Sequence, residues 1–317
     1  MVASETPFTI GRGEQRDGAF VRQQSRFREW VTADGASAYA PEPGRYHLYV
    51  ARACPWAHRT LITRALMGLE RAVTVSYLDP IRDQRGWAFT GAGAYEDPVN
   101  AFQFLSQAYL ASDPAFSARV TVPVLWDREL GRIVNNESAD IMRMLSTVFA
   151  SLADHPVDLY PRAHAGEIDA LNDLIYDRVN NGVYRAGFST DQHVYERAVG
   201  DVFGMLDALD ERLAKRRFLF GPEPVETDWR LFTTLIRFDP VYHVHFKCSL
   251  RKLSEYAHLW PYLRDLHQWP GVRETVSFDE IRSHYYRTHG AINPTGIVAV
   301  MPSESLEQAP GREHLGG

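Results

Sequence analysis

The stretch that decides the fold is Leu48-Tyr49-Val50-Ala51-Arg52-Ala53-Cys54-Pro55-Trp56-Ala57-His58-Arg59-Thr60. The residues before Cys54 read as a buried strand. Those after it carry apolar side chains at Leu61, Ile62, Ala65, Leu66 and Leu69, at the spacing of an amphipathic helix. Cys54 therefore stands where a strand hands over to a helix. Pro55 suits the first helical turn, where no intrahelical partner needs an N–H. A thiol placed there faces unpaired backbone N–H groups and the positive end of the helix dipole, which favour thiolate over thiol. Arg52 and Arg59 could add positive charge nearby.

An arbitrary free cysteine is more often buried and inert. The strand–Cys-Pro–helix setting reverses that expectation here. Position 57 is Ala57, so no Cys-x-x-Cys disulfide can form across the motif. Cys248 is far along the chain in a helical region. A lone nucleophilic thiol must form a mixed disulfide with an external molecule, and a second external thiol must resolve it. Glutathione is the obvious candidate for both.

The chain has 317 residues, enough for two domains, with 45% hydrophobic and 23% charged residues and a net charge of −6. No basic excess suggests nucleic-acid binding. No run of about 18 apolar residues predicts a membrane span. Met1 to Gly13 is polar and lacks the apolar core of a signal peptide. Two cysteines are too few for a disulfide scaffold. These features predict a cytoplasmic protein in a reducing compartment.

Residues 1–44 read as an extended arm. Residues 45–153 carry the pattern β-α-β-(α)-β-β-α: strands over Tyr46–Ala53, Ala72–Leu78, Val122–Trp126 and Arg132–Asn136, and helices over Pro55–Leu69, Ala101–Ser112 and Glu137–Phe149. That order is thioredoxin-like. Pro123 heads a strand, where a missing N–H is tolerated; in the thioredoxin-like setting it is expected to be cis, presenting the backbone of Val122 to a thiol ligand. After a linker at Asp154–Pro161, residues 161–290 read as all-helical, with helices over His164–Val183, Asp191–Lys215, Thr227–Phe238 and Ser254–Gln268. Asp228 is expected to cap the third of these. Residues 291–317 read as a tail, disordered from Pro302 onward.

The fold class is thus an α/β thioredoxin-like N-terminal domain followed by an all-α domain, which resembles the soluble glutathione transferases. Val122-Pro123 followed by Asn136-Glu137-Ser138 is similar to their glutathione-binding pattern. A helix start with a Ser hydroxyl can bind the γ-glutamyl carboxylate through orphan N–H groups. The closer resemblance is to the xi class, the glutathionyl-hydroquinone reductases. It is carried by Cys54-Pro55-Trp56-Ala57-His58-Arg59, Arg85-Gly86-Trp87, Asn135-Asn136-Glu137-Ser138 and Asn180-Asn181-Gly182-Val183-Tyr184. Further on it continues in Arg230 to Tyr242, His245-Phe246-Lys247-Cys248 and Asn293-Pro294-Thr295-Gly296.

The resemblance implies reduction of S-glutathionyl-hydroquinones through a Cys54–glutathione mixed disulfide, with glutathione as co-substrate and no tightly bound cofactor or metal. It assigns Tyr184 as acid–base residue, and Tyr242 and Tyr285 as hydrogen-bond donors to the Cys54 thiolate, with Tyr286 one position away. It assigns Trp87, Arg119, Val122, Pro123, Glu137 and Ser138 to glutathione. The chemistry agrees: breaking an aryl carbon–sulfur bond by attack on sulfur leaves charge on carbon, so a positioned proton donor is needed. A homodimer is expected, binding glutathione and an aromatic small molecule, with no nucleic-acid or membrane partner. The alternatives are an omega-like thiol transferase or dehydroascorbate reductase, which needs no phenolic acid, and a non-catalytic binding module on the same fold.

Overall fold

A computed structural model describes residues 14–91 and 93–315. The first 13 residues of the expected arm lie outside the described residues. The chain divides into two compact units. Residues 23–157 and 275–284 belong to the first, residues 14–22, 158–274 and 285–315 to the second. Each is described by itself.

Elements follow in chain order. Two short strands, β1 (Gln15–Arg16) and β2 (Ala19–Phe20), form a hairpin in the second unit. The first unit is built on β3 (Tyr46–Val50), α1 (Pro55–Leu66), β4 (Val73–Tyr77), α2 (Leu105–Ser112), β5 (Val124–Asp127), β6 (Arg132–Asn135) and α3 (Ser138–Ser146). Its sheet runs β4-β3-β5-β6, with β3–β4 parallel and the other pairs antiparallel. All five residues of β3 are buried, as a central strand covered on both faces requires. The arm shields the β6 edge: Glu29 N–H donates to the Val134 carbonyl at 3.1 Å, and Arg28 bridges to Asn135. An edge so covered is not left to pair with another chain.

The second unit carries α4 (Ala165–Ile175), α5 (Gly182–Gly187), α6 (Gln192–Leu213), α7 (Glu226–Leu235) and α8 (Leu259–His267). One helix, α9 (Phe278–Thr288), gives residues through His284 to the first unit and those from Tyr285 to the second. The single helix expected over His164–Val183 is instead α4, a π-helical turn at Tyr176–Asn180 and α5. A second π-turn, Phe238–Tyr242, ends the α7 segment. Such turns often sit at functional positions.

Two expectations are corrected. Asp228 is not the cap residue of α7; it lies in the first turn and reaches back to Val225 N–H at 2.9 Å, while also accepting from Leu219 N–H and the Tyr262 hydroxyl. The segment from Pro302 is not loose through residue 315. Arg312 is 3% exposed, and its guanidinium donates to the carbonyls of Leu213, Arg216, Arg217 and His258. Those groups include the orphan acceptors at the end of α6, which a cation satisfies well.

Candidate active site

Cys54 is the N-cap residue of α1, with extended φ −81° and ψ 122° and Pro55 at the first helical position. Its N–H donates to the Ala51 carbonyl, and its carbonyl accepts from His58 N–H at 2.9 Å. The backbone turn is thus pinned on both sides. The side chain makes no capping hydrogen bond. Its Sγ lies 3.8 Å from the Val122 carbonyl oxygen, and the Val122–Pro123 bond is cis, as the sequence reading expects. The sulfur thus lies beside the backbone that the sequence reading expects to receive a thiol ligand.

The two arginines expected to add charge are engaged. Arg52 ion-pairs with Glu280 at 2.8 Å and lies 3.8 Å over the Tyr77 ring. Arg59 is 1% exposed, with its guanidinium 4.7 Å from the Trp56 ring. The carboxylate that neutralises Arg52 comes from a residue 228 positions away, which no local reading could supply.

The turn from β6 into α3 is set by its asparagines. Asn135 Oδ1 accepts from Glu137 N–H at 2.7 Å, and Asn136 is held by Tyr109. Glu137, not Ser138, is the N-cap; its carboxylate accepts from Ala139 N–H at 3.2 Å and from Ser25 at 3.0 Å. Ser138 is the first helical residue, with its hydroxyl directed at Glu137. Arg119 is fixed through its backbone, exchanging two hydrogen bonds with the Gln23 amide. Trp87 is 4% exposed: the His284 ring stacks on it at 5.2 Å and the Arg82 guanidinium sits 4.6 Å from it. His284 is itself held by the Pro80 carbonyl at 2.7 Å. Its Nδ1 must therefore carry the proton, since a carbonyl only accepts.

In the second unit three phenols converge. The hydroxyls of Tyr184 and Tyr285 are 2.5 Å apart, and those of Tyr242 and Tyr285 are 3.0 Å apart. Each comes from a different element: α5, the Phe238–Tyr242 turn and α9. Tyr286 is not part of the group; its hydroxyl donates to the Pro240 carbonyl. Phe246 packs against all three rings. Gly187 makes that packing possible, since a Cβ there would fall 2.2 Å from the Phe246 ring. Burial pushes the Tyr242 and Tyr285 phenols well above their ordinary range, so both stay protonated donors; the Arg237 charge opposes this only in part. Tyr184 is 9% exposed, against 0% and 1% for Tyr242 and Tyr285. It is the member of the group most open to other molecules.

Several neighbours escape a sequence reading. Arg22 from the N-terminal hairpin lies 4.8 Å over the Tyr184 ring and donates to Asn181 Oδ1 at 2.7 Å. Glu280 and His284 lie on α9, a helix that the sequence reading does not assign within residues 161–290. A signal was present: Ser277 followed by Glu280 three residues later is a helix-start pattern, and Ser277 Oγ does accept from Glu280 N–H. His245 meets His289 at 3.1 Å, a partner 44 positions away.

Comparison with known proteins places both halves. Residues 53–148 match the model of the glutathione S-transferase N-terminal domain, and residues 192–265 match that of the C-terminal domain. The chain is 50% identical over 304 residues to glutathionyl-hydroquinone reductase YqjG of Escherichia coli K12, covering 93% of each. It is 44% identical over 290 residues to glutathionyl-hydroquinone reductase PcpF of Sphingobium chlorophenolicum, covering 91% of each. The glutathione-bound structure of YqjG superposes with a TM-score of 0.88, covering 90% of this chain and 96% of that one. The chain belongs to the glutathione S-transferase family, in its xi class of glutathionyl-hydroquinone reductases. Among the described residues, no helix is long and apolar enough to cross a membrane.

Proposed function

We propose that this enzyme reduces S-glutathionyl-hydroquinones to hydroquinones at the expense of glutathione, with Cys54 as nucleophile and Tyr184 as proton donor. Cys54 thiolate attacks the thioether sulfur. The sulfur–aryl carbon bond breaks, its electron pair passes to the ring carbon, and that carbon takes the Tyr184 proton. Cys54 is left bound to glutathione as a disulfide, and the hydroquinone departs. A second glutathione loses its thiol proton, which restores Tyr184, and its thiolate attacks the disulfide. Oxidised glutathione leaves and the Cys54 thiolate returns. The ring is reduced by two electrons, and two glutathione thiol equivalents end as one disulfide.

The observation that carries this reading is the group of three phenols, Tyr184, Tyr242 and Tyr285, in a chain whose one partly exposed cysteine stands at the N-cap position of a helix. A plain thiol–disulfide exchange needs no phenol, so the group counts against the omega-like alternative. Tyr242 and Tyr285, which the resemblance assigns as donors to the Cys54 thiolate, bond within the tyrosine group, where they can also donate to a Tyr184 phenolate as the proton leaves, in the manner of an oxyanion hole. Glutathione is held by the Val122 backbone beside cis-Pro123, by the start of α3 and by Arg119. There the Ser138 hydroxyl and helix N–H groups take a carboxylate, and the Glu137 carboxylate takes the ammonium. Trp87, braced by His284, walls that site. Dependence on glutathione fits a reducing cytoplasmic setting, and a homodimer is the expected assembly.

The test is turnover of a glutathionyl-hydroquinone with added glutathione, following hydroquinone and oxidised glutathione together. Equal release of both, lost in Cys54→Ala, is expected. Release of neither, with a mixed-disulfide substrate still turned over, moves the assignment to a thiol transferase; silence on both leaves a binding module.

A further inference from the structure

The β1–β2 hairpin is built to a tight fit against the α5 region. Gln15 Nε2 donates to the Phe188 carbonyl at 3.0 Å. The Gly18 carbonyl accepts from Thr190 N–H at 3.1 Å and from the Ser189 hydroxyl at 3.2 Å. Gly18 has φ +78°, and a Cβ there would lie 2.6 Å from Asp191 Cβ, so both conformation and contact require glycine. Phe20 is 5% exposed and packs on Phe188 and Tyr184, with centroids 5.5 and 6.4 Å away. Two residues on, Arg22 is delivered with its guanidinium 4.8 Å from the Tyr184 ring centroid, steered by the 2.7 Å bond from its Nε to Asn181 Oδ1. Asn181 immediately precedes α5, three residues before Tyr184.

We propose that Arg22 is a positioning residue for Tyr184: its guanidinium holds the ring in place and favours the phenolate that forms as Tyr184 gives up its proton. The proposal rests on Tyr184 being the acid. A cation over an aromatic face attracts the neutral ring and attracts the phenolate more strongly. Among the described residues, the other charged or titratable groups near Tyr184 are engaged elsewhere. Tyr242 and Tyr285 are neutral phenols kept protonated by burial. Arg237 acts on those two phenols. Arg185, on α5 itself, is paired with Asp177. His245 and His289 bond each other beyond Phe246, and burial pushes His245 down to about 4, leaving it uncharged at neutral pH. The hairpin is thereby a working part of the catalytic apparatus and not a covering arm.

The experiment compares Arg22→Met, Arg22→Lys and Tyr184→Phe on two substrates, a glutathionyl-hydroquinone and a glutathione mixed disulfide. Arg22→Met should lower aryl thioether turnover about tenfold and move the alkaline limb of its pH profile up by about one unit, as expected for loss of a partly solvated charge a few ångströms away. Its exchange with the mixed disulfide should stay within about twofold of wild type. Arg22→Lys should restore most of the turnover and the original limb. Unchanged turnover and limb in Arg22→Met would overturn the proposal, as would equal losses on both substrates. Should Arg22→Met not fold, a limb displaced in Arg22→Lys would overturn it. The two assignments separate cleanly. If Tyr184→Phe turns over the thioether normally, Tyr184 is not the acid; if Tyr184→Phe is inactive while Arg22→Met matches wild type, only the role of Arg22 falls.

Discussion

Replacing Tyr285 by Phe removes one oxygen and leaves the ring. That oxygen lies 2.5 Å from Tyr184 and 3.0 Å from Tyr242, so a single deletion takes away the shortest hydrogen bond to Tyr184. If Tyr285 donates to the Tyr184 phenolate as the proton leaves, its loss resembles removal of one oxyanion-hole donor, about a hundredfold in kcat or ~3 kcal/mol of barrier. The ground state pays less. Tyr242 is wholly buried and loses a partner, which costs ~1–3 kcal/mol of stability and lowers the melting temperature by a few degrees. The ring contacts with Phe246 and Tyr242 remain, so the backbone should not move. The assay follows hydroquinone by chromatography and oxidised glutathione by a coupled reductase, on aryl thioether and mixed-disulfide substrates in parallel. A large loss confined to the thioether is expected. A loss of similar size on both substrates, or none on either, would refute the reasoning.

Other consequences follow from burial and close packing. Cys248 is fully buried and its thiol is pushed up to about 12 by that burial, so peptide mapping after brief alkylation at neutral pH should find label on Cys54 alone. Gly187→Ala would put a methyl into the Phe246 ring, so ~1–3 kcal/mol should be lost in denaturant melts, together with thioether turnover. Burial pushes His47 and His245 down from 6.5 to about 4, so between those values the unfolded chain binds more protons than the folded one. Stability from these two is fully present above pH 6.5 and is lost as the pH falls, up to ~3 kcal/mol each. Asp228, pushed up from 3.8 to about 6 by burial, acts in the opposite sense and offsets about one of them. Urea melts should thus show a net fall of ~3 kcal/mol between pH 6.5 and 4; a flat profile would contradict the assignment.

What the sequence reveals of this protein is local, and what it hides is remote. Cys54-Pro55 can be read because strand, cap and first helical turn are neighbours in the chain. Val122-Pro123 and Glu137-Ser138 are legible for the same reason, although Glu137 rather than Ser138 takes the cap. The helices are found by apolar spacing, but their π-turns at Tyr176–Asn180 and Phe238–Tyr242 are not, because one extra residue in a turn leaves no mark on composition. Helix α9 is missed because its sequence, Phe278-Asp279-Glu280-Ile281-Arg282-Ser283-His284, is mostly polar on the page. Its burial depends on specific pairs, Glu280 with Arg52 and His284 with Trp87, that link residues far apart. Arg22 is invisible for that reason: its partner Asn181 is 159 positions away.

The central claim is that Cys54 takes glutathione from an aryl thioether. It is tested most directly by mixing the enzyme with a glutathionyl-hydroquinone in the absence of free glutathione and weighing the intact protein. One equivalent of hydroquinone should appear with one glutathionyl group on the peptide containing Cys54, and added glutathione should remove that group. Hydroquinone released with no adduct, or an adduct that maps to Cys248, would contradict the account.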